Sequence, residues 1–188
     1  MDTKDLYKKS EIDLDRFIKN IKQDQWNTQS TCSEWVVKDL VNHLVYENLW
    51  LADLLDGKTV AEVGDQYEEK DLLGDDPKQA WEQSSQKASV SLTGFGDLEK
   101  IINLGERQIS FSQYLSEMIF DKIIHGWDVA KSTGQADDLD QELVDFVYDY
   151  AAQKEEELRS YGVIGKRIEV PKDADKQTKL LAMLGRKR

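Results

Sequence analysis

Both histidines of this chain fall on the inward faces of long helical patterns, among apolar residues and away from any loop. That confines the fold to one that can house polar groups between helices. His125 lies in the run Phe120-Asp121-Lys122-Ile123-Ile124-His125-Gly126-Trp127-Asp128. With Asp121 as reference on a 3.6-residue helix, His125 falls about 40° to one side and Asp128 about 20° to the other. Met118 and Ile124 flank this ionisable stripe, and Trp127 lies off it, at a packing position. On the earlier helical pattern, Val36, Leu40, Glu47, Trp50 and Leu54 all lie within roughly 60° of His43. Two imidazoles and at least one carboxylate thus point off the inward faces of two helices, as they do where bundles build metal sites in their cores. Core histidines with one satisfied hydrogen bond fit the same spacing. A metal becomes the sharper reading because burying unpaired charge costs several kcal/mol.

The rest of the chain suits such a bundle. Two prolines, eleven glycines and 33% charged residues read as helical and soluble, and 188 residues suffice for one core, a single domain over 1–188. No run of about 18 apolar residues exists to span a membrane, and the first ten residues lack the apolar core of a signal peptide, so a cytoplasmic location is expected. The net charge of −12 argues against nucleic-acid and anionic-membrane partners, which need basic patches; the ending Gly185-Arg186-Lys187-Arg188 is too short to reverse it. A small-molecule substrate is the expected partner, with the protein a monomer or a homodimer. One cysteine, Cys32, excludes an intrachain disulfide and reads as an inert thiol.

Periodicity predicts helices over about 4–22, from between Ser33 and Val36 to Asp56, from Pro77 to about Leu92, from Ser110 or Ser112 to Ser132, over 140–160, and over 177–184. Asp76-Pro77 is a helix start with its N-cap and first-turn proline; Asp140 and Asp175 are further N-caps. Thr31-x-x-Glu34 offers a capping box for the second helix, and Trp26 and Trp35 bracket the preceding connector as packing anchors. Asp39 reads as a helix-start charge or a ligand. Glu47, one turn beyond His43, is a candidate for a coordinating or catalytic-base role. Short β-branched runs either side of Gly105-Glu106 predict a small β-hairpin, and Val60 to Val63 a single helical turn.

Taken together, Thr31-Cys32-Ser33-Glu34-Trp35, Asp39-Leu40-Val41-Asn42-His43-Leu44, His125-Gly126-Trp127-Asp128, Leu72-Leu73-Gly74-Asp75-Asp76-Pro77 and Leu180-Leu181-Ala182-Met183-Leu184-Gly185-Arg186 resemble the DinB/YfiT-like metalloprotein superfamily. The branch is that of the N-terminal domain of mycothiol-dependent maleylpyruvate isomerase. The resemblance implies an all-α, up-down-down-up four-helix bundle, here with an extra C-terminal helix, holding a divalent metal at one end of its core. Its ligand positions match His43, Asp121 and His125, the same three that the helical wheels select. Where better-known relatives carry a glutamate, this chain has the shorter Asp121.

Two histidines and one carboxylate form a three-ligand site with open positions. Zinc suits it best, and nickel, iron or manganese are alternatives; a closed structural site would take a fourth ligand from Glu47 or Asp128. By family analogy the expected chemistry is activation of a low-molecular-weight thiol, of mycothiol or bacillithiol type, for S-transfer or isomerisation. Metal-dependent hydrolysis with Glu47 as base, and a non-enzymatic metal-binding stress-response bundle, are the alternatives.

Overall fold

In the computed structural model, which describes residues 2–188, the helical pattern resolves into seven α-helices and one hairpin among the described residues. They are α1 (Thr3–Lys19), α2 (Val37–Leu55), α3 (Val60–Val63), α4 (Pro77–Gly94), β1 (Ile101–Leu104), β2 (Arg107–Ser110), α5 (Phe111–Ser132), α6 (Gln141–Ser160) and α7 (Lys176–Met183). Four helices, α1, α5, α2 and α4, pack in that order around a shared core, with α4 closing back on α1. α6 lies against α5, and α7 against α6. β1 and β2 pair antiparallel with Ile102 opposite Ile109, both turned into the core.

The helix starts follow local chemistry. Asp76, Asp140 and Asp175 each accept first-turn backbone N–H groups, from Gln79, from Glu142 and Leu143, and from Thr178. Ser110 does the same for Gln113, so it and not Ser112 caps α5. The expected Thr31–Glu34 capping box does not form. α2 begins at Val37, and the Val36 N–H donates to Asp39 Oδ2 at 2.9 Å. Thr31 instead spends its hydroxyl on Asp128, 97 residues away. Asp39 is thereby a helix-start residue.

α5 is the central helix, buried on nearly all sides, including Leu115, Ile119, Phe120, Ile123, Ile124 and Trp127. Gly126 lets α1 come close: a Cβ there would meet Leu14 Cδ1 at 3.3 Å. The core also holds a charged group that the helical wheel did not single out. Lys122 is fully buried, its Nζ 2.7 Å from Glu11 Oε1 and 2.6 Å from Asn48 Oδ1, between the rings of Tyr7 and Trp81. This ion pair joins α1, α2 and α5 on the side of α5 next to Asp121.

Candidate metal centre

α2 and α5 bring His43, Asp121 and His125 together. Both imidazoles aim the same nitrogen at one carboxylate oxygen: Asp121 Oδ2 is 2.9 Å from His43 Nε2 and 3.3 Å from His125 Nε2. All three donor atoms lie within 4.8 Å of one another. The His43 and His125 rings meet edge-on, with centroids 5.3 Å apart. Trp35 lies against both, at 5.1 Å from His43 and 5.8 Å from His125, and Tyr46 stacks on His43 at 6.4 Å. Trp35 is thus more than a packing anchor of the connector, since it packs on the two imidazoles.

The electrostatics follow from this crowding. Burial opposes charge on His43, yet the Glu47 and Asp121 carboxylates overcome it and hold the imidazole above its ordinary value. His125 goes further in the same direction, raised against burial by Asp121 and by hydrogen bonding to Asp128. Asp121 is correspondingly lowered, because the two imidazoles outweigh its own burial. Glu47 behaves oppositely. Burial and the Asp121 charge drive its carboxyl well above the usual range, and His43 and Lys122 pull back only part of the way. Its Oε1 stands 3.7 Å from His43 Nε2, and its Oε2 is buried with no hydrogen-bond partner.

Behind His125 lies a second layer. Asp128, fully buried, accepts from His125 Nδ1 at 3.1 Å and from the Thr31 hydroxyl at 2.5 Å. Arg186 grips both its oxygens, Nε to Oδ1 at 2.8 Å and Nη2 to Oδ2 at 2.7 Å. The Cys32 Sγ sits 3.6 Å from the same carboxylate. Asp128 is held below the ordinary carboxylate range, since Arg186 and His125 overcome its burial. It therefore stands on the Nδ1 side of His125, opposite the nitrogen that faces Asp121.

Two hollows reach this centre. One, of about 600 Å³, is lined by His43 with Trp35, Asn42, Tyr46 and Tyr67. The other, of about 200 Å³, is lined by Glu47 and Asp121 with Met118, Phe120 and Tyr150.

A sequence profile of the mycothiol maleylpyruvate isomerase N-terminal domain family matches residues 8–130, more than half of the chain. The chain belongs to that family. Two uncharacterised proteins of Mycobacterium tuberculosis, from strains CDC 1551 / Oshkosh and ATCC 25618 / H37Rv, are each 26% identical over 128 residues, 66% of this chain and 63% of theirs. The chain thus spans somewhat under two thirds of the length of these curated relatives. Among solved structures, the mycothiol-dependent maleylpyruvate isomerase superposes with a TM-score of 0.64 at 15% identity, covering 80% of this chain and 70% of that one. A histidine-to-alanine mutant of the same enzyme gives the same score at 13% identity. At such identities the likeness is one of fold, and it bears out the DinB-like helical bundle with its small hairpin.

The divalent metal that this fold family implies suits the donor set present. Two imidazole nitrogens and a carboxylate oxygen converge, and His125 is oriented from behind by a hydrogen-bonded carboxylate, as metal-bound imidazoles usually are. Arg186 and Lys122 are the residues that helical periodicity passes over. Arg186 belongs to the closing Gly-Arg motif, but its partner lies 58 positions earlier. No helix among the described residues is long and apolar enough to cross a membrane.

Proposed function

We propose that His43, Asp121 and His125 hold a divalent metal, with zinc preferred over nickel, iron or manganese, and that the protein is a metal-dependent enzyme acting on a small molecule with a low-molecular-weight thiol. The observation that carries this reading is the convergence of both Nε2 atoms on Asp121 Oδ2 beside two hollows through which a thiol and a second substrate can enter. When bound, the metal lowers the pKa of a coordinated thiol or water toward neutrality.

The remaining work falls to side chains of this chain. Glu47, raised by burial and by Asp121, is suited to accept a proton near neutral pH; it takes the one the thiol releases and returns it to the product or leaving group. Trp35 and Tyr46 form an aromatic wall on the His43 side. Asp128 keeps His125 turned so that Nε2 faces the centre.

Hydrolysis is the second reading, favoured by the same placement of Glu47, which serves equally as base for a water nucleophile. The test starts with protein purified without a histidine tag. Elemental mass spectrometry should find near one equivalent of metal in the wild type, and none in His43→Ala or Asp121→Ala. Turnover of an electrophile by the loaded protein should then require an added thiol. Turnover of an ester or amide without thiol would favour hydrolysis, and absence of metal after reconstitution would defeat both readings.

A further inference from the structure

We infer that Arg186 is a positioning residue for the metal centre: by clamping Asp128 it fixes which nitrogen of His125 is presented to the metal. This rests on the metal reading above and goes beyond it by assigning a role to the turn after α7.

An aspartate can swing about its two side-chain torsions, so one hydrogen bond to an imidazole does not by itself fix either partner. Here Arg186 supplies a planar fork to both carboxylate oxygens, at 2.8 and 2.7 Å, which sets the plane of the Asp128 carboxylate. Thr31 adds its hydroxyl as a second donor to Oδ1. With that plane set, Oδ2 faces His125 Nδ1 at 3.1 Å. The imidazole then keeps its proton on Nδ1, and the Nε2 lone pair is left for the centre shared with His43 and Asp121. The guanidinium has a second consequence. Cys32, His125 Nδ1 and Asp128 form a donor cluster of their own, and Arg186 places a fixed cation on it, with Nη2 3.9 Å from Cys32 Sγ. A metal ion is thereby kept off the wrong nitrogen.

Arg186 is itself held from several directions. Its backbone N–H donates to Leu181 O at 2.8 Å, closing α7, and Gly165 N–H donates to Leu184 O at 3.1 Å. Arg159 Nη2 donates to Met183 O at 3.0 Å, tying the end of α7 to α6. The clamp therefore hangs on a docked element and not on a free end.

The test is the zinc dissociation constant of the full chain, by chelator competition, for wild type, Arg186→Gln, Arg186→Lys, Asp128→Asn and the Arg186→Gln/Asp128→Asn double variant. Thermal melts of each metal-free protein run beside it. Removing a partner of this kind weakens metal binding by about 10–100-fold. Arg186→Gln and Asp128→Asn should each show such a loss while the metal-free protein stays folded, and the double variant should be no weaker than the worse single one, because both act through His125. Arg186→Lys, which keeps the charge and loses the fork, should recover only part. With two histidines in the chain, imidazole nitrogen spectra of the zinc form provide a direct signature: an exchange-protected His125 Nδ1–H in wild type, exposed in Arg186→Gln. If Arg186→Gln proves unfolded, Arg186→Lys carries the comparison. Wild-type affinity in a folded Arg186 variant would overturn the positioning role and leave the metal site standing. A wild type that binds no zinc would overturn both.

Discussion

Glu47 and His43 stand one helical turn apart on α2 with Glu47 Oε1 3.7 Å from His43 Nε2, and the other Glu47 oxygen is buried without a partner. A buried carboxylate oxygen left unpaired is costly, so this arrangement is one that a proton or a ligand atom would relieve. Glu47→Gln is close in shape and cannot take up a proton. It is expected to retain metal at wild-type stoichiometry while losing about 10²–10⁴-fold in turnover, the usual contribution of a general base. A Glu47→Gln protein that loses its metal would instead make Glu47 a ligand, and undiminished turnover would remove it from the chemistry.

The buried pair of Lys122 and Glu11 makes a stability prediction independent of the metal. Lys122 has no exposed surface and meets Glu11 at 2.7 Å, with Ser85 also donating to Glu11. Glu11→Gln leaves the ammonium without its counter-charge and should cost about 3–5 kcal/mol in urea unfolding. Lys122→Met combined with Glu11→Leu removes both charges together and should recover most of that loss. If Glu11→Gln unfolds at the wild-type urea midpoint, the pair contributes nothing net.

These two relationships show how unevenly the sequence speaks. Helix positions were legible because α1, α2, α4 and α6 each bury one face, which stamps a 3.6-residue period on the chain, and because Asp76, Asp140 and Asp175 are local caps. His43, Asp121 and His125 were legible for the same reason: polar groups on apolar faces break the pattern. Lys122 was not, because α5 is buried almost all round and a single inward stripe does not describe it. For Thr31 the local option, a helix cap, loses to a long-range bond with Asp128 that no local pattern signals. Cys32 and Arg186 meet across 154 positions, a proximity created by the docking of α7 and carried by no periodicity.

Asp53 sets a pH dependence. It is buried at the end of α2, where it accepts from Lys58 and Lys87 at 2.8 Å each, from Tyr67 at 2.8 Å and from Gln66 at 2.7 Å. Burial pushes its pKa up, but the lysine and tyrosine donors outweigh it and hold the carboxyl at about 2. The unfolded value is near 3.9. A folded pKa below the unfolded one means the stabilisation is complete above about pH 4 and is lost as pH falls through about 2. Its size is on the order of 1–2 kcal/mol. Asp53→Asn should therefore be less stable than wild type at pH 6, with the gap narrowing in urea titrations at pH 3 and closing toward pH 2. A gap that stays constant with pH would assign the effect to packing.

Gly185 makes the last prediction, at the turn that carries Arg186. Its φ of +81° lies in the left-handed region, and a Cβ there would come within 2.8 Å of the Gly165 backbone. Alanine thus meets two penalties: about 1–2 kcal/mol for the backbone conformation, and a clash with main chain that no rotamer can relieve. The bundle of α1, α2, α4 and α5 meets this turn through the Arg186–Asp128 fork, so Gly185→Ala should act first at this junction and lower global melting only through the loss of that buried ion pair. Hydrogen exchange should accelerate at the Gly165 and Ile168 amides, which donate to Leu184 O and Ala182 O across the same junction. Undocking the turn also withdraws the Arg186 fork from Asp128. The variant should therefore show the weakened zinc affinity of Arg186→Gln while keeping every side chain around the centre. Faster exchange with unchanged zinc affinity would mean that Asp128 holds His125 without help from the turn.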